Sequence, residues 1–116
     1  MLPAGIGTDI VSIARVREAR YPDRIAELIL SPAEYHSYSV APDRSLYLAS
    51  RFALKEAIIK ACPVPVRACD VEVQHVGNRP VCVWRFQPAP QYDILLSLSH
   101  EQTYAVAVAC AVPRGD

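Results

Sequence analysis

No run in this chain approaches the ~18 consecutive apolar residues that crossing a bilayer requires. Its start, MLPAGIGTDI, has no basic segment leading into an apolar stretch. A cytoplasmic protein with no membrane partner is expected. An excess of either charge is also missing. Lysine plus arginine and aspartate plus glutamate stand at 12 each, for a formal net charge of +0. That balance excludes the overall basic field that draws a protein to nucleic acid or anionic lipid, so an anionic partner has to be met locally. The four cysteines, Cys62, Cys69, Cys82 and Cys110, have no C-x-x-C spacing and no neighbouring histidine pair. Neither a zinc site nor a disulfide framework is indicated, and they read as small core residues. A nucleophile elbow, a Walker loop, internal repeats and low-complexity runs are absent as well.

With 116 residues, of which 52% are hydrophobic, the chain fits one domain over residues 1–116. An apolar share this high in so short a chain suggests further burial between subunits.

The stretch that organises the chain is RFALKEAIIKA, Arg51 to Ala61. At about 100° per residue, Glu56 points the same way as Ala49, Phe52, Ala53 and Ile59, with Lys60 one turn on. Leu54, Ala57, Ile58 and Ala61 widen this apolar stripe until the helix reads as buried. Glu56 therefore sits where a core is expected. It is either the partner of Lys60 in an i,i+4 ion pair or a metal ligand beside a substrate-facing lysine.

Earlier in the chain, GIGTDIV (Gly5 to Val11) reads as a strand whose glycines let another backbone or a ligand approach closely. Asp9 shares a strand face with Gly7 and Val11, as a turn or cap residue or as a carboxylate at a cleft. Ser12 caps a helix through about Arg20 that carries Arg15, Arg17 and Arg20 on a solvated surface. Tyr21-Pro22-Asp23 breaks it, and Ile25, Leu28 and Ile29 mark a short amphipathic segment. Ser31-Pro32-Ala33-Glu34 is a capping box that makes Glu34 structural, and His36, without partners, is a surface or core residue. Pro42 and Asp43 open the central helix, and Pro63 and Pro65 end it.

The remainder is β-rich. Cys69, Val71, Val73 and His75 alternate with polar residues, Gly77-Asn78 turns the chain, and a second strand runs through Val81 to Phe86. Gln87 to Gln91 is a rigid loop. Two last strands flank SHEQT, the final one with alanines at alternate positions that let another layer pack closely. Ser97-Leu98-Ser99-His100 places two hydroxyls on one strand face and a histidine at the turn, a set suited to phosphate oxygens. The fold class is α+β, with helices packed on a mainly antiparallel sheet.

Taken together, G-x-D-I-V, R-F-A-x-K-E-A-x-x-K-A and S-x-S-H resemble the 4′-phosphopantetheinyl transferases, most nearly the small holo-acyl-carrier-protein synthase type, from Gly5 to about Val112. The resemblance implies transfer of 4′-phosphopantetheine from coenzyme A to a serine of an apo-acyl carrier protein, with release of adenosine 3′,5′-bisphosphate. It implies Mg²⁺ held by Asp9 and Glu56, and Lys60 facing the reacting phosphate. His100, Arg51 and Lys55 would make further contacts to coenzyme A phosphates, and Arg15, with Arg17 and Arg20, would dock the acidic carrier. It also implies a homotrimer in which Asp9 and Glu56 of one subunit face His100 of the next. Two stretches differ from the family pattern: Cys62-Pro63-Val64-Pro65 replaces a glycine-bearing turn, and QPAPQ replaces a helix. The competing readings are a non-catalytic carrier-protein-binding relative and a metal-dependent nucleotide phosphodiesterase.

Overall fold

The computed structural model describes residues 2–115. The chain runs β1 (Gly5–Ser12), α1 (Ile13–Arg17), α2 (Pro22–Ile29), α3 (Pro32–Val40), α4 (Arg44–Ala61), a 3₁₀ turn (Ala68–Asp70), β2 (Val71–Val76), β3 (Arg79–Trp84), β4 (Tyr92–His100) and β5 (Tyr104–Pro113). The expected α+β class holds. The antiparallel strands form two sheets rather than one, β1-β5-β4 and the hairpin β2-β3. Trp84 Nε1 donates to the Tyr92 carbonyl at 3.1 Å, tying β3 to β4.

Small residues set the layering. Ala105, Ala107, Ala109 and Ala111 of β5 are all fully buried, as are Ala49, Ala53 and Ala57 of α4, so helix and sheet approach with little between them. On β1 the approach is closer still. A Cβ added to Gly5 would lie 2.0 Å from the Ala61 carbonyl oxygen, and one on Gly7 would lie 2.2 Å from that of Ala57. The glycines of GIGTDIV thus admit the backbone of α4, and not a ligand.

Local signals explain most boundaries. The Asp43 carboxylate accepts from Leu46 N at the start of α4, and the helix ends at Cys62, in extended backbone, because Pro63 cannot continue it. The capping box is present: Ser31 Oγ accepts from Glu34 N at 3.2 Å, and Ser31 N donates to the Glu34 carboxylate at 2.8 Å. Two boundaries differ from expectation. Helix α1 stops at Arg17, not Arg20, because Pro22 opens α2 and holds Tyr21 outside the helical region. Strand β2 begins at Val71, since Arg67 N donates to the Asp70 carboxylate at 2.8 Å and folds residues 68–70 into a turn.

Strand register decides what faces where. Asp9 pairs with Ala107 and Gly7 with Ala109, so both lie on the helix side of the sheet. Ser97 and Ser99 pair with Val108 and Val106 and lie on the opposite face. That outer face carries Ile6, Ile10 and Leu95 in the open, at 72%, 62% and 63% exposure.

Candidate active site

The site starts where β1 crosses α4. Because Gly5 and Gly7 bring the strand onto the helix against Ala61 and Ala57, the next residue on the same strand face, Asp9, comes level with an earlier turn of α4. Lys60 Nζ reaches across to Asp9 Oδ1 at 3.1 Å and to the Thr8 carbonyl at 3.0 Å. The Asp9 side chain is largely covered, whereas Lys60 is half exposed.

Glu56 is bracketed on this face. Phe52, one turn before it, lines a cavity of about 350 Å³ together with Asp9, Ser12, Arg15, Val16 and Leu48, and Lys60, one turn after it, holds Asp9. Residues four apart stand one above the other on a helix face, so Glu56 lies between them, opposite Asp9. Its half-buried carboxylate has no hydrogen-bond or ion-pair partner among the described residues. The intrahelical Glu56–Lys60 pair is therefore not formed. Lys60 bonds to β1 instead.

Two lysines in one motif have opposite fates. Lys55, expected at a phosphate, is 1% exposed at its side chain. Its Nζ donates to Glu34 Oε1 at 2.6 Å, Val71 O at 2.8 Å, Ala68 O at 3.1 Å and also to Ile29 O. Burial pushes its pKa down, while the Glu34 carboxylate opposes that shift. Lys55 is thus removed from the phosphate set, because its ammonium is spent on protein acceptors. Arg51 is removed by burial, although its Nε has no hydrogen-bond partner among the described residues. It is buried 3.7 Å from Glu34 Oε2, lies 4.6 Å from the centre of the Tyr47 ring and donates toward His75 Nδ1 at 3.2 Å. Burial and the Arg51 charge lower the pKa of His75, consistent with a neutral imidazole accepting at Nδ1.

His100 ends β4 and pairs with Ala105, two residues along β5 from the partner of Asp9. With strands ~4.8 Å apart and ~3.3 Å per residue, its Cα lies about 12 Å from that of Asp9, across β5. It lines a separate cavity with Ile13, Arg17, Asp43 and Leu46. Within one chain, Asp9, Glu56 and Lys60 are together and His100 stands apart. Arg15, Arg17 and Arg20 are all exposed. Arg15 shares the Asp9 cavity, Arg17 is 3.6 Å from Asp43, and Arg20 stacks on Tyr21.

The donor set suits a hard cation. Asp9 and Glu56 offer carboxylate oxygens only, and among the described residues no cluster of three or more His, Cys, Asp or Glu side chains forms an all-protein cage. An ion that takes one or two carboxylates and completes its shell with water and phosphate oxygens fits such a site. Sequence reasoning missed two residues. Phe52 as a cavity wall was readable from its place one turn before Glu56. Glu34 as the partner of Lys55 was not, since its capping role explained it already.

Residues 5–109 match the model of the 4′-phosphopantetheinyl transferase superfamily. The chain is 48% identical to the holo-[acyl-carrier-protein] synthase of Dechloromonas aromatica, over 89% of this chain and 92% of that protein. Its fold superposes with a TM-score of 0.83, at 26% identity, on the Bacillus anthracis holo-(acyl-carrier-protein) synthase in complex with CoA (3′,5′-ADP), covering 99% of this chain and 100% of that one. The Helicobacter pylori synthase in complex with coenzyme A aligns with a TM-score of 0.74 at 30% identity, over 92% and 99%.

Proposed function

The chain belongs to the 4′-phosphopantetheinyl transferase superfamily, and from that membership we infer its reaction. It is a holo-acyl-carrier-protein synthase: it transfers 4′-phosphopantetheine from coenzyme A to a serine of an apo-acyl carrier protein. The serine oxygen forms a bond to the phosphorus bearing pantetheine, the bond from that phosphorus to the bridging oxygen breaks, and adenosine 3′,5′-bisphosphate leaves with that oxygen. The observation that carries this reading is Lys60 held on Asp9, with an unpartnered Glu56 between Lys60 and Phe52.

Such a transfer asks the protein mainly to position groups and offset charge. Asp9 and Glu56 would hold Mg²⁺, which would supply charge neutralisation at the pyrophosphate when bound. Asp9 keeps the Lys60 ammonium at the cavity edge, and half exposure leaves Lys60 free to meet the reacting phosphate. Glu56 either takes the serine proton itself or orients a water that does. Arg15, beside Asp9, leads carrier docking, with Arg17 and Arg20 adding positive charge on the same exposed segment.

The assembly reading is a homotrimer working in the cytoplasm, with each site completed by His100 of a neighbour. It is supported by the roughly 12 Å that separates His100 from Asp9 within one chain and by the bare apolar outer face of the sheet. One experiment tests the reaction: incubate the protein with coenzyme A, Mg²⁺ and apo-acyl carrier protein and weigh the carrier. A gain of one phosphopantetheine supports transfer. Hydrolysed coenzyme A with an unmodified carrier would instead identify a phosphodiesterase, and no change in either a binding protein.

A further inference from the structure

The contact between α4 and the sheet is close. Alanines of β5 and the glycines of β1 meet alanines of the helix, while Leu54 and Ile58 of the same helix pack with Val71, Val73, Leu96 and Leu98. Yet Glu56 and Lys60 serve Asp9 only at one helix register. Lys60 ties the helix to β1 on one side, and the polar contacts of Lys55 tie it on the other.

We propose that Lys55 is a positioning residue for the transfer reaction, a buried clamp that fixes the register of α4 and thereby aims Glu56 at Asp9. The inference rests on the functional reading above. Its ammonium reaches the last residue of α2, Glu34 of α3, the 3₁₀ turn and the first residue of β2. Four elements are tied to one atom that carries three protons. The Glu34 carboxylate is fixed in turn by Ser31 N at 2.8 Å and Val73 N at 2.9 Å. Consecutive helix residues point about 100° apart, so anchoring Lys55 on the α2, α3 and β2 side turns its neighbour Glu56 toward β1. A buried ion pair is a poor source of stability compared with apolar side chains of similar volume, and its best-attested use is to specify register. Lys55–Glu34 is placed for that use, one residue from the group whose aim matters.

The test compares the wild type with Lys55→Met and with Lys55→Met/Glu34→Gln, which removes both charges. Two quantities are read: kcat and KM for transfer, and the affinity for Mn²⁺ measured by electron paramagnetic resonance without carrier. The expectation is a folded, cooperatively melting protein whose kcat falls and whose Mn²⁺ binding weakens by about 10- to 100-fold each, as when a residue behind a metal ligand is lost. KM for the carrier should stay unchanged, because Arg15 lies outside α4. A folded variant with wild-type kcat and wild-type Mn²⁺ affinity overturns the proposal. Failure of both variants to fold overturns it too, since the pair would then be a requirement of the fold itself. If the wild type transfers nothing, the functional reading fails, while the Mn²⁺ arm still tests the clamp.

Discussion

Replacing Gly7 by alanine probes the step on which the site depends, the seating of β1 against α4. The new Cβ would lie 2.2 Å from the Ala57 carbonyl oxygen and 2.8 Å from both Ala61 N and Lys60 Cβ. Two of these neighbours are helix backbone, so no rotamer change relieves the contact. Restoring an ordinary carbon–oxygen separation requires the strand to retreat by about 1 Å, and overpacking of that kind costs about 1–3 kcal/mol. Asp9, two residues on, moves with the strand. A displacement near 1 Å at a reacting group can cost about 100-fold in rate. Gly7→Ala should therefore lower the urea midpoint and reduce kcat by about two orders of magnitude. Gly77→Ala is the control: no atom lies within 4 Å of its Cβ position, and its φ of 63° adds only local strain. It should cost some stability and leave kcat alone. Urea denaturation beside a mass assay of carrier modification measures both effects. A Gly7→Ala protein with wild-type midpoint and wild-type kcat would show that β1 can shift without disturbing the site, and the reasoning would be refuted.

Four further expectations follow. Glu56→Gln should fold normally and lose most activity, because the amide keeps the shape and loses the charge that would hold Mg²⁺; an unfolded Glu56→Gln protein, with Mg²⁺ never affecting wild-type activity, would make Glu56 structural. Raising ionic strength should increase the carrier KM more than the coenzyme A KM, since exposed arginines are strongly screened, and Arg15→Glu should raise the carrier KM at every salt concentration; a carrier KM insensitive to both removes the docking role. Asp9→Ala and His100→Ala should each be nearly inactive alone, while subunit exchange between them restores part of the activity; mixed trimers seen by mass spectrometry with no recovery would place the whole site within one chain. Stability should fall as the pH drops below about 6.5, the ordinary histidine value, because the folded state lowers the pKa of His75, the unfolded chain then binds the extra proton, and protonated Nδ1 no longer accepts from Arg51; His75→Leu should flatten that slope in urea midpoints compared between pH 7.5 and 5.5, and an unchanged slope would exclude His75 as its source.

The sequence made legible those features that rest on local chemistry. Asp43 and Pro63 bound α4, Ser31 and Glu34 form a capping box, and alanine alternation marks the face of β5 that meets a helix, because each of these depends on residues close in the chain. Asp9 and Glu56 were legible as carboxylates set on apolar faces. The split of the strands into two sheets was not, since no local signal says whether β3 hydrogen-bonds to β4 or only packs near it. The occupant of the space left by Gly5 and Gly7 was equally hidden: a missing side chain announces a close approach and not what approaches.

The hardest distinction lay inside K-E-A-x-x-K. Lys55 and Lys60 have the same charge and the same flexible stem, so the family resemblance made both substrate contacts, while i,i+4 spacing made Lys60 a partner for Glu56. Helix geometry separates them, because five residues turn the helix by about 140° beyond a full revolution. One ammonium enters the shell of α2, α3 and β2, and the other faces β1. The outcome then depends on acceptors supplied from elsewhere in the chain, Glu34 at one end and Asp9 at the other. With Lys55 consumed by Glu34 and Lys60 drawn to Asp9, Glu56 is left without a cationic partner among the described residues, as the proposed role requires.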